Sequence, residues 1–197
     1  MMPFIMEEAE AMHKAIPAFK MGQPIGDGIG PMVIGKMMLG SKKESIVFQT
    51  VLSETEHAGR KLFLLKAEGP DAVVGRPGDA IQSIISKNKL DVIIMVDASL
   101  KMEGEKSATI SQGFGAAIGG IGTERFQIED IATKYEIPIF AIVIKQSIKE
   151  AITLMTKEIA DKADEIRAQI YEMIQDNTKS GQSVLIIGVG NTMGVSQ

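Results

Sequence analysis

The chain has 197 residues, 45% of them hydrophobic, with 21 basic and 25 acidic side chains and a formal net charge of −4. That composition supplies a core for a single domain, and the basic residues are too scattered to form a stripe for nucleic acid. The absence of cysteine excludes disulfides, thiolate catalysis and thiolate metal sites, and two histidines are too few for a histidine-based metal centre.

In residues 4–20, Ile5, Ala9, Met12 and Ile16 recur at helical spacing, with Glu7, Glu8 and Glu10 in the early turns and Pro17 expected to kink or end the helix. His13 on this helix reads as a surface histidine. Residues 23–40, QPIGDGIGPMVIGKMMLG, place Gly26, Gly28 and Gly30 around Asp27. A helix carrying Met32, Val33, Met37 and Met38 follows and is expected to stop at Gly40. On spacing alone Asp27 either caps that helix or is delivered by the glycine loop to a cleft.

Residues 45–52 and 60–67 read as a hairpin whose polar tip holds Glu54, Glu56 and His57, a solvated loop rather than a metal cluster. In residues 68–89 a helix with Ala80, Ile81, Ile84 and Ile85 on its inner face starts after Gly75, Pro77 and Gly78, and Arg76 at its start is a candidate anion contact. Residues 90–100, LDVIIMVDASL, contain five consecutive apolar residues and then Asp97. An apolar run without alternation has both faces covered, so this is a central parallel-type strand, and ligands gather beyond the carboxyl ends of such strands.

SATISQ at 107–112 reads as a short strand, and GFGAAIGGIG at 113–122 as a flexible lid. That stretch matches neither the dinucleotide nor the nucleoside-triphosphate fingerprint. Thr123 is a candidate cap for a helix with Phe126, Ile128, Ile131 and Ala132 inside, and residues 137–144, IPIFAIVI, are a second apolar strand. From Ile148 to Met173 apolar residues recur at steps of four and three, predicting one helix of about 28 residues and about 42 Å. It either protrudes into a homo-oligomer contact through residues 148–176 or breaks near residues 160–163. The chain closes with a buried strand at 184–189 and a Gly-Asn turn at Asn191 with nothing after it for the turn to lead into.

Taken together, DVIIMVDAS, then ATISQGFGAAIGGIGTERFQIEDIATKYEIPIFAIVI, then SIKEAI resemble the germination proteases of spores, and GDGIGPMV resembles the first acidic motif of that family. The related hydrogenase-maturation proteases resemble it too, with an acid at each of the two places, although their metal-binding histidine has no match here. In those families the strand ending in Gly-x-Gly-Asn precedes the first acidic loop, whereas here VLIIGVGN comes last. The order therefore resembles a circular permutation, which surface termini tolerate. A further resemblance is to an uncharacterised archaeal family whose longer members carry an amino-terminal membrane segment.

The resemblance implies a three-layer α/β/α fold with a mixed, mostly parallel sheet, residues 1–22 as a helical extension and 23–197 as a permuted protease-like core. It implies a peptidase using Asp27 and Asp97, acting on polypeptide, with Gly26, Gly28, Gly113, Gly115, Asn191 and Arg76 around the substrate. No cofactor is needed if the two acids share a proton, and a divalent metal held by Asp27 and Asp97 is the alternative. The competing expectations are a non-catalytic ligand-binding protein of the same fold, or an assembly protein in which the acids are caps. No apolar run approaches the roughly twenty residues of a membrane span and no secretory pattern opens the chain. A soluble cytoplasmic chain is expected, without nucleic-acid or membrane contacts of its own; a membrane anchor would lie upstream of it.

Overall fold

The computed structural model describes residues 2–118 and 123–196, and among residues 2–10 the side chains of 2–5, 7 and 8 are outside the description. The expected faces of Ile5, Glu7 and Glu8, and the 119–122 part of the glycine-rich stretch, therefore lie outside the described residues.

The strands are β1 (Lys43–Val47), β2 (Thr50–His57), β3 (Arg60–Ala67), β4 (Val92–Leu100), β5 (Ile110–Phe114), β6 (Ile139–Gln146) and β7 (Ser183–Gly188). They form one sheet in the order β1-β2-β3-β7-β4-β6-β5. The last strand in sequence is thus in the middle, parallel to β3 and β4, while β4 is parallel to β6 and the two edges are antiparallel. Each central strand is buried on both faces, which is why its sequence shows no alternation. Ile94, Val96, Val184 and Ile186 meet α2 (Ile29–Met37), α6 (Lys157–Asp161) and α7 (Ala163–Asn177) through Val33, Ile34, Ile159, Ile166 and Ile170. On the opposite face Ile93, Met95, Leu185 and Ile187 meet α3 (Pro77–Ile85) and α4 (Thr123–Lys134) through Ala80, Ile81, Ile84, Ile128 and Ile131. Three layers result, with α5 (Ile148–Ile152) and α1 (Met2–Met21) at one end.

Several local expectations are corrected. The stretch holding Glu54, Glu56 and His57 is strand, not tip: β2 pairs with β3 as far as His57–Arg60, and the turn is Ala58-Gly59, both with positive φ, as a two-residue type I′ hairpin requires. Glu54 pairs with Lys61 at 2.7 Å and the His57 ring stacks on Tyr171 at 4.2 Å. A polar strand is possible here because it lies near the sheet's edge. The hairpin is also preceded by a separate strand, β1, and its second arm β3 reaches the parallel core through β7.

The 148–176 helix is three helices. Ser147 and Glu150 form a capping box that starts α5; Thr153 then turns extended (φ −100°, ψ 175°), and Thr156 caps α6 by accepting from the Ile159 amide. The apolar period survives both breaks because Ile159, Ile166 and Ile170 are still buried on the sheet side. The break between Asp161 and Ala163 is the one expected near residues 160–163, and α7, about 22 Å long, covers the sheet. Helix α1 contains Pro17 without ending there and stops at Gly22 (φ +57°). Its buried face is Ala11, Ala15 and Ala18, whereas Ala9, Met12 and Ile16 are exposed. On α4, Phe126 likewise points outward.

Lys66 on β3 is 1% exposed beneath α2, its Nζ donating to the Ala67 carbonyl at 2.9 Å. Burial holds its pKa down to about 8 from 10.5; Glu68 opposes this and Lys43 adds to it. Because the folded chain binds this proton less tightly than the unfolded one, stability should rise between pH 8 and 10.5. Lys66→Met is expected to remove that rise and to stabilise the fold at pH 7 by about 1–2 kcal/mol, as read from urea melts at both pH values.

Candidate active site

The carboxyl edge of the sheet is stepped. β7 pairs with β4 only as far as Gly188–Val96, whereas β6 continues beside β4 to Gln146–Leu100. Asp97 is the first residue of β4 past the end of β7, still held by β6 opposite Val143 and 5% exposed. It is therefore inside the strand rather than leaving it. The step is closed by the start of α2: a Cβ on Gly30 would collide with the carbonyl oxygens of Val96 and Val189, so glycine is what lets the helix sit on the strand ends.

Immediately before α2, Asp27 occupies a 3-10 turn, Gly26–Gly28. Its Oδ2 accepts a hydrogen bond from the Asn191 backbone N–H at 2.7 Å, so its side chain turns away from α2 instead of capping it. The carboxyl-terminal segment is bound here on two sides. Gly28 abuts the Asn191 carbonyl, and Gly194 (φ +68°) packs against Gly22 and Gln23. Thr192, fully buried, has its hydroxyl among the carbonyls of Glu68, Asp71 and Val73 at 2.8, 2.8 and 3.0 Å. The Gly-Asn turn thus leads into a wall of the site.

Asp27 and Asp97 line two adjoining hollows. One, of about 430 Å³, is bordered by Ser99, Ala116, Ala117, Arg125, Val143 and Gln146. The other, about 560 Å³, is bordered by Val74, Pro77, Ile118, Thr123, Glu124 and Val189. Burial raises the Asp27 carboxyl above its ordinary 3.8, and the Asn191 amide opposes this with a smaller effect. Gln146 is fully buried beside the pair, with its Nε2 donating to the Gly26 carbonyl at 3.0 Å. Its Oε1, among the described residues, has no hydrogen-bond partner.

The raised Asp27 carboxyl has a stability consequence. The folded chain holds this proton more tightly than the unfolded one, so the Asp27 contribution is fully present below about pH 3.8 and is lost as pH rises through the raised folded value. Thermal melts from pH 3.5 to 7 should show wild type losing stability relative to Asp27→Asn across that interval. Parallel curves would contradict it.

The other expected residues divide. Gly26, Gly28 and Asn191 are at the pair: Gly26 is pressed against Gln146 and the Glu150 carbonyl. Gly113 and Gly115 are not, since Gly113 is within β5 and borders a separate hollow against α7, and Gly115, just after β5, borders another against α4. The residues that return to the pair from this segment are Ala116, Ala117 and Ile118. Arg76 precedes α3 but its guanidinium pairs with Asp79 at 3.5 Å and lies over Phe48, while its neighbours Gly75 and Pro77 line the cleft. The cation that borders the cleft is Arg125, held by Glu129 at 3.0 Å.

Gln146 had a signal in the sequence, a polar residue ending an apolar strand as Asp97 does; Arg125, in a helix's first turn, had none. A divalent metal finds few donors here. Asp27 has one oxygen committed to Asn191, and among the described residues no three His, Cys, Asp or Glu side chains converge, short of the six or more oxygens such ions take.

A family profile described as the C-terminal part of a domain of unknown function (DUF1512) matches residues 25–196. The chain belongs to this family. The match includes Asp27, Asp97 and the Asn191 segment, so every part of the candidate site lies inside the DUF1512 C-terminal domain, with α1 outside it. Two germination proteases of Clostridium perfringens, from strains SM101 and 13, are each similar at 24% identity over 170 residues. That is 81% of this chain and 50% of theirs, so the chain spans about half the length of the curated relatives it matches. Among solved structures, a proteasome-assembly chaperone homologue of Mycobacterium tuberculosis aligns with a TM-score of 0.42 and 12% identity, over 79% of this chain and 93% of its own. Among the described residues no helix is long and apolar enough to cross a membrane.

Proposed function

We propose that the chain hydrolyses peptide bonds with Asp27 and Asp97 as an acid and base pair. The observation that supports this is that Asp27 and Asp97 both line each of two hollows at the carboxyl edge of the sheet, where an extended polypeptide crossing from one hollow to the other could present a peptide bond to the two acids. Burial raises the Asp27 carboxyl and favours its proton. In this reading Asp97, ionised, takes a proton from the attacking water. Asp27 gives its proton to the carbonyl oxygen as the water oxygen bonds to the carbonyl carbon; when the C–N bond then breaks, the proton gathered by Asp97 leaves on the amine and a hydroxyl of the intermediate returns its proton to Asp27. Gln146 Oε1 accepts a hydrogen bond from the protonated carboxyl or the water, which fills its empty acceptor position.

The similarity to the germination proteases supports the same reading, and the packing of the carboxyl-terminal segment against residues 22–28 supports a circularly permuted relationship to them: joining β7 directly to the Asp27 turn would need no rearrangement of the sheet. The apolar lining of the larger hollow by Val74, Pro77, Ile118 and Val189 favours a second reading, a peptide-binding protein that does not cleave.

The test is incubation with unstructured casein at several pH values between 4 and 8, with and without EDTA, and mass spectrometry of the products. New termini in both series are expected. No cleavage at any pH would leave the binding reading, and cleavage abolished by EDTA would replace the proton-sharing pair with a metal.

A further inference from the structure

Along β4 the main chain turns alternately to its two neighbours. The Ile93 and Lys101 amides donate to Pro138 and Gln146 on the β6 side, at 3.0 and 2.8 Å, while the Val96 carbonyl accepts from the Val189 amide on the β7 side at 2.8 Å. Odd-numbered residues therefore turn their N–H and C=O toward β6, and even-numbered ones toward β7. Because β7 stops pairing at Val96, Ala98 and Leu100 turn theirs into the step. The next acceptor in that ladder, for the Ala98 N–H, would be the Val189 carbonyl. It is turned to the start of α2 instead, where a Cβ on Gly30 would come within 2.4 Å of it. Among the described residues neither the Ala98 nor the Leu100 N–H has an acceptor.

We propose that a polypeptide substrate binds as an added strand on this edge, its main chain paired with Ala98 and Leu100 along the line that β7 leaves. This rests on the reading of the cleft as a polypeptide site and adds how the polypeptide is held. Unpaired N–H and C=O groups on alternate residues, about 6.6 Å apart, are matched by the main chain of another extended segment, whereas a compact ligand reaches one of them. The edge is preorganised: β6 holds Asp97 and Ser99 on either side of Ala98, whose side chain packs on the core beneath α2. It also lies along the cleft. Ala98 borders both hollows, Val189 at the end of β7 borders the larger and Leu100 the smaller. A strand continuing the line of β7 enters by the larger hollow, passes Asp27 and Asp97, and leaves by the smaller. Two residues are too short an edge to invite a second sheet. Main-chain pairing reads no side chains, so the substrate is an unfolded segment of tolerant sequence.

Amide hydrogen exchange read by NMR on the whole chain tests this. In the free protein the Ala98 and Leu100 amides are expected to exchange at least about a hundredfold faster than those of Asp97 and Ser99, which β6 holds. An excess of unstructured casein peptides is expected to slow Ala98 and Leu100 about fivefold or more and to leave Ser99 unchanged, in wild type and in Asp27→Asn, where the peptides stay uncut. Leu100→Pro deletes one donor from the free edge and none from the ladder with β6. It should raise the casein concentration that half-protects Ala98 about fivefold or more, with a melting temperature within a few degrees of wild type. An Ala98 amide already slow in the free chain, exchange unchanged by millimolar casein peptides, or equal protection in a folded Leu100→Pro would each overturn the inference. Protection without cleavage would keep the added strand and remove the catalysis. Cleavage without protection would keep the catalysis and remove the added strand.

Discussion

If the proposed peptidase reading holds, Asp27→Asn and Asp97→Asn are each expected to reduce peptide cleavage by about a thousandfold or more, while neither is expected to lower the melting temperature by more than a few degrees and Asp27→Asn is expected to raise it. In the proposed mechanism each group's useful protonation state depends on the other, so the double variant is expected to be no worse than either single one. The stability expectation follows from burial. Asp27 is desolvated and compensated by one backbone amide, and replacing a carboxylate that resists ionisation by a neutral amide removes a cost at neutral pH. Structural caps would behave in the opposite way, losing about 1 kcal/mol of stability each and leaving any activity intact. Kinetics and melts on the same preparations separate the two accounts.

Gly30→Ala is expected to lose about 3 kcal/mol and most of the activity, because its new methyl has no space to relax into. The obstacles are main-chain carbonyls of two central strands, at Val96 and Val189, so α2 must lift from the sheet and Asp27 moves with it. Gly113→Ala is the comparison. Its Cβ would meet nothing within 4 Å and it lies away from the cleft, so stability should change by less than about 1 kcal/mol and cleavage should be unaffected. A Gly113→Ala loss as large as that of Gly30→Ala would return the 113–115 segment to the substrate site.

The central strands were readable because covering both faces leaves unbroken apolar runs rich in β-branched residues at 92–96, 139–144 and 184–187, and an acid directly after such a run marks the edge where ligands gather. Asp27 was readable as a candidate because three glycines surround it, but the choice between cap and cleft depended on where Asn191 lies, 164 positions away. What failed was of two kinds. Periodicity records which side is buried and not whether the backbone is continuous, so the break at Thr153–Thr156 between α5 and α6 did not show in it, whereas the break between α6 and α7 at Lys162 falls where one was expected, near residues 160–163.

On α1 the helical spacing of Ala9, Met12 and Ile16 marks an exposed face, and the small Ala11, Ala15 and Ala18 are the residues buried against the body, as close approach between helices allows. Arg76, Gly113 and Gly115 were placed by nearness in sequence to elements of the site. Their neighbours reach it instead, which depends on the direction the chain takes after a strand or before a helix and not on composition.

The most direct measurement of the central claim is a carbon-13 NMR titration of the Asp27 and Asp97 side-chain carboxyl carbons, in wild type and in Asp97→Asn. The coupled pair predicts that Asp27 titrates above its ordinary 3.8 in wild type, and that its midpoint falls when Asp97 is made neutral, because the neighbouring charge that helps keep the proton in place is gone. An Asp27 midpoint that does not move between the two proteins would show that the carboxyl groups titrate independently, and would contradict the account.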